Sequence, residues 1–120
     1  MAQRRLISFF LLTFFWAAGF WHPSVLSADT AASNFKELCA KCHGPTGKGN
    51  GPEAKTLNPK PADYTNCKKM AADSDATLFK IIKGGGQGAG KSKDMPAWGE
   101  ALTDQEIHDL VAYVRSFCKK

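Results

Sequence analysis

Cys39-Ala40-Lys41-Cys42-His43 is the stretch that decides how this chain is read. Two cysteines separated by two residues, with a histidine directly after, form the attachment pattern of a c-type haem. The spacing has a physical basis. Positions three apart share a helix face, so Cys39 and Cys42 can reach the two vinyl groups of one haem and form thioethers. His43 then turns its imidazole toward the iron as the proximal ligand. Other chemistries also use a Cys-x-x-Cys pair. A structural zinc site needs two more nitrogen or sulfur ligands at similar spacing, and the remaining cysteines, Cys67 and Cys118, sit far apart. A thioredoxin-like redox pair needs a βαβ setting, and no such pattern flanks this stretch.

Upstream of the pentapeptide, Ala31, Ala32, Phe35, Leu38, Cys39 and Cys42 fall on one helical face, which predicts a helix over 29–43. Phe35 stands four residues before Cys39, on the haem side. Gly44 and Pro45 end the helix. Further upstream, Arg4 and Arg5 precede an uncharged apolar run over 6–21, and small residues follow at Ser27 and Ala28. Basic, apolar, small is the order of a secretory signal peptide. The expected organisation is therefore a segment 1–28, cleaved or kept as an anchor, and one domain over 29–120. The apolar run is shorter than the roughly 20 residues of a spanning helix. A membrane association follows only if this segment stays uncleaved.

The whole chain of 120 residues carries 16 Lys+Arg against 11 Asp+Glu, a net +5. Without Arg4 and Arg5 the balance is 14 against 11, or +3. The lysines are scattered and no basic run is interleaved with stacking aromatics, so nucleic acid is not an expected partner.

Downstream, residues 44–66 are too rich in Gly and Pro for regular structure. A loop this long in a small domain is usually wrapped around something. A backbone carbonyl near Pro59 or Pro61 is placed to accept the second imidazole N–H of His43. Tyr64 is read either as a hydroxyl for a haem propionate or as a core tyrosine. A second helix is expected over 73–83, with Ser74 as N-cap, Asp75 in the first turn and Gly84 as the stop. Residues 85–92, Gly-Gly-Gln-Gly-Ala-Gly-Lys-Ser, match the phosphate-binding pattern G-x-x-x-x-G-K-[ST]. That pattern counts only between a strand and a helix. Here a capped helix precedes it and Pro96 follows closely, so no nucleotide is expected.

Met95-Pro96 comes next. Methionine sulfur is a soft axial ligand for haem iron, and a His/Met pair raises the reduction potential. Met1 lies in the export segment, and Met70 lies in a polar stretch with no rigidifying neighbour. Met95 is the expected second ligand. Thr103-Asp104-Gln105-Glu106 is a capping box opening a helix over 103–118. Ile107, Leu110, Val111, Val114 and Cys118 form its apolar stripe, and His108 beside the stripe is read as an ordinary, partly exposed histidine.

With these residues in view, the domain resembles an exported bacterial class I (mono-haem) cytochrome c over essentially its full length. The resemblance rests on the Cys39–His43 site after an N-terminal helix, the Gly/Pro loop, the middle helix, the Met95-Pro96 loop and the closing helix with Tyr113. It implies an all-α fold, with three main helices and long loops around one covalently bound haem c. It implies iron held by His43 and Met95, a packed pair of first and last helices, and Phe35 and Tyr113 as packing aromatics. Haem attachment outside the cytoplasm places the protein in the periplasm.

The function implied is electron transfer without substrate chemistry, and so not an enzyme. The partners are then electron donor and acceptor proteins. Lys41, Lys48, Lys91 and Lys93 can steer the haem edge toward acidic docking patches. A dedicated haem subunit of a periplasmic or membrane oxidoreductase complex is the alternative. A peroxidase or gas sensor would need an open sixth position, which Met95 fills. Cys67 and Cys118 remain as an even pair in an oxidising compartment and are read as a disulfide. Two reduced cysteines are the other possibility.

Overall fold

The computed structural model describes residues 24–119, and most of the expected export segment 1–28 lies outside them. Helix α1, Ser24–Asn34, opens the described chain. It runs through a π turn, Phe35–Cys39, into α2, Ala40–His43. The expected 29–43 helix is therefore present, but it starts earlier and carries a π turn just before the cysteines. Among the described residues no strand is present, and no helix is long and apolar enough to cross a membrane.

The long 44–66 loop contains a 3-10 turn, Pro52–Thr56. Helix α3, Cys67–Met70, is a single turn whose N-cap Asn66 accepts from the Lys69 amide. This corrects the expectation for Met70. A capped turn rigidifies it, and it is buried at 6% exposure. Helix α4, Asp75–Gly84, begins at the expected cap, with Ser74 Oγ accepting from the Thr77 amide. A 3-10 turn, Gln87–Ala89, follows in the second glycine-rich loop. Helix α5, Asp104–Ser116, has both bonds of the capping box, and the chain then tightens into a 3-10 turn, Phe117–Lys119.

Helix α5 is the centre of the core. It packs on α1 and on α4. Its stripe Ile107, Leu110, Val111 and Val114 is buried, and Ile107 is fully enclosed at 0%. Each such side chain contributes about 1.5–3 kcal/mol when removed from water. From the opposite helix, Phe35 reaches this stripe at 1% exposure. Its ring lies 5.3 Å from Tyr113 and 5.2 Å from Phe117, both tilted, in the favourable range for aromatic pairs. His108 is exposed and stacks on Phe79 at 4.4 Å.

Cys67 and Cys118 are joined as a disulfide, with Cα atoms 5.2 Å apart. That separation lies within the range a disulfide needs. The bond ties the start of α3 to the turn after α5.

Candidate functional site

The last turn of the first helix carries Cys39, Cys42 and His43, and its carbonyls are satisfied by the loop that follows. The Gly49 amide donates to His43 O at 2.8 Å, and the Gly51 amide donates to Cys42 O at 3.0 Å. Terminal helix carbonyls need such partners. The close return explains the glycine at 51: a Cβ there would lie 2.2 Å from Lys41 O.

His43 is buried at 7% exposure. Its Nδ1 lies 3.1 Å from Ala62 O. A carbonyl only accepts, so Nδ1 carries the proton and Nε2 keeps the lone pair. Tyr64 Oη lies 3.2 Å from Nε2, and the two rings stack at 4.5 Å. Burial lowers the His43 pKa, partly offset by the bond to Ala62 O. The result is a neutral imidazole in one tautomer, oriented as a metal-binding histidine is by its second nitrogen. The carbonyl partner expected near Pro61 is the next residue, Ala62. Tyr64 is a core tyrosine, and burial raises its pKa.

Neither Cys39 nor Cys42 is in a disulfide. Burial is the main cause that pushes the Cys39 thiol up to about 11, with Cys42 adding to it. Burial also raises the Cys42 thiol, helped by its hydrogen bond to Glu53, 3.6 Å from Sγ. Among the described residues no group of three or more His, Cys, Asp or Glu is placed to hold a metal ion, so these thiols lack the partners a structural zinc site needs.

Cys39, Cys42, His43 and Met95 all line one cavity of about 490 Å³. Leu78, Ile82 and Trp98 supply apolar wall. Met95 is half-buried. Its loop closes on itself, with the Gly86 amide donating to Met95 O at 3.0 Å and the Lys91 amide to Gly86 O at 2.8 Å. The sequence set Met70 aside, yet it lines the same cavity. A one-turn helix is too short to leave a periodic signal, so only the Asn66 cap could have revealed it. The phosphate-loop pattern sits in the loop after α4. No strand precedes it, and Lys91 Nζ is engaged by both carboxylate oxygens of Asp73, at 3.1 and 2.9 Å. Thiols at helical spacing, an oriented neutral imidazole, a thioether and apolar walls around one cavity fit a covalently bound haem.

Comparison with known proteins agrees with this geometry. Residues 26–114 match the family model described as cytochrome c oxidase, cbb3-type, subunit III. Cytochrome c6 of Rippkaea orientalis is 31% identical over 114 residues, covering 93% of this chain and 92% of that protein. The cbb3-type cytochrome c oxidase subunit FixP of Azorhizobium caulinodans is 33% identical over 90 residues. That match covers 75% of this chain and 27% of FixP, so the chain spans about a quarter of that relative. The chain belongs to the class I c-type cytochromes, all-α electron-transfer proteins that carry covalently bound haem c with its iron.

Proposed function

We propose that this chain carries one electron at a time on a single haem c, attached through Cys39 and Cys42 and ligated by His43 and Met95. The observation that carries the reading is that these four side chains line one cavity. When bound, the haem supplies the one-electron couple of its iron. The protein's own groups do the rest. Ala62 O fixes the imidazole so that Nε2 is the nitrogen offered to iron. Leu78, Ile82 and Trp98 keep water from the cavity wall. Met95, as a soft thioether ligand, would favour the reduced state and raise the potential.

A diffusible carrier in the periplasm is the first reading of its place. The near full-length match to a cytochrome c6 supports it. The basic, apolar, small order of residues 1–28 supports export. A haem subunit of an oxidase complex is the second reading, favoured by the family model and by the partial match to FixP. In both, the partners are redox proteins, with no substrate transformed. Lys41, Lys48 and Lys93 are exposed and able to steer acidic partners, whereas Lys91 is paired with Asp73.

The ligand assignment is tested on the oxidised holoprotein. Met95→Ala is expected to abolish the sulfur-to-iron charge-transfer band, while Met70→Ala keeps it. The reverse pattern would assign the ligand to Met70.

A further inference from the structure

The Met95 loop is a closed ring of backbone. Gly86 accepts from the Lys91 amide and donates to Met95 O. A Cβ at Gly86 would lie 2.2 Å from Ser92 O, so the ring is drawn tight and has little room to deform. Lys91 and Met95 therefore move together. From this ring Lys91 reaches out to Asp73, in the segment between α3 and α4.

Asp73 is itself anchored. Arg115 of α5 donates through Nη2 to Asp73 O, through Nη1 to Met70 O, and through Nε to Asp75 Oδ1 at 2.9 Å. The side chains of Arg115 and Asp73 are only 22% and 27% exposed, against 46% for Lys91. Exposure thus rises from the core outward to the loop. Asp73 and Lys91 both lie on the wall of the cavity that Met95 lines.

We propose that Asp73 and Lys91, backed by Arg115, form a latch that holds the Met95 loop closed on the cavity and sets how readily the Met95 sulfur leaves iron. The inference rests on Met95 being the axial ligand. Asp73 and Lys91 are positioning residues. They act through the loop and do not touch the ligating atom. Lys91, the residue that gave the phosphate-loop pattern its lysine, has this structural task in place of a nucleotide.

The test titrates imidazole into the oxidised holoprotein and follows loss of the sulfur-to-iron charge-transfer band. Asp73→Asn and Lys91→Gln are expected each to bind imidazole about fivefold more tightly, as befits one half-exposed ion pair. High salt is expected to move the wild-type protein toward the variants and to leave the variants unchanged. The double variant carrying both changes is expected to match either single one, because the pair is lost once. A merely destabilising substitution would not produce this salt response or this non-additivity. Unchanged imidazole affinity in both single variants, with the band intact, would overturn the latch and leave Met95 ligation standing. A band that survives Met95→Ala would instead overturn the ligand assignment, and the latch with it.

Discussion

The two walls of the cavity are built differently. The histidine wall is held by contacts that span the chain. Ala62 O holds His43, the Tyr64 amide donates to Gly47 O at 2.7 Å, and Tyr64, Phe35 and Phe117 form an aromatic cluster. The Cys67–Cys118 disulfide then bolts this wall to the turn after α5, across a sequence separation of 51. The methionine wall is local. Its loop bonds to itself, Trp98 N donates to Ile82 O at 3.0 Å, and its outward tie is a half-exposed ion pair. One wall is permanent and the other is conditional. In the reading proposed above, the wall that carries the covalent attachment need never open, whereas the Met95 thioether would be the weaker of the two ligands. Rigidity is concentrated where the structure can use it without hindering closure around the cofactor.

The comparison breaks most severely at Phe35. Replacing this enclosed ring by Ala is expected to cost about 3–5 kcal/mol, read by denaturant unfolding of the holoprotein. A cost near that of an exposed residue would show that the aromatic cluster is not what holds the histidine wall. The disulfide comes next. Cys67→Ser with Cys118→Ser is expected to cost about 2–4 kcal/mol, by release of the long loop it closes. Hydrogen exchange in that variant should rise at the Tyr64 and Met70 amides and stay unchanged at Gly86 and Lys91. A rise on both walls would erase the distinction between them.

The smallest effect belongs to α5, which backs both walls. Thr103→Ala removes the cap hydroxyl and is expected to cost about 1 kcal/mol, without favouring either wall. It also sharpens the acid behaviour. The Thr103 amide and hydroxyl hold the Glu106 carboxyl below its ordinary 4.5. A depressed carboxyl stabilises the fold above that ordinary value, and the gain is lost as pH falls through the depressed one. Thr103→Ala should therefore show a weaker loss of stability with acid than the wild type.

Much of this was legible in the sequence because it was written in local chemistry. Ser74 caps α4 and Thr103 boxes α5 as their side chains require. Met95 was picked out by its proline and its place between helices, and the structure brings it to the same cavity as the pentapeptide. What escaped was non-local. Arg115 reads as one polar residue on a helix, and nothing near it announces Met70, Asp73 and Asp75 as partners more than 35 residues away. The start of α1 at Ser24 escaped because Ser27 and Ala28 have the character of the small-residue end of an export segment. The π turn left no trace at all, since the apolar positions of 31–42 fit an ordinary helix about as well.

That π turn has a consequence in the arithmetic of helical phase. The Ala40 amide reaches back to Phe35 O, five residues away, so this turn holds one residue more than an α-turn. Each residue of an α-helix advances the helix by about 100°. Ala31 precedes the turn and Phe35 opens it, both buried in the core, while Cys39 closes it and Cys42 and His43 follow, all three lining the cavity. Losing one residue from 36–38 would let the helix become regular. With every residue kept, a regular α-turn here would instead swing the whole pentapeptide by about 100° relative to Phe35, off the cavity, with the attachment motif intact in the sequence. The motif's address is thus set by how the turn leading into it takes up one extra residue, and a chain can keep every attachment residue and still aim them at the wrong wall.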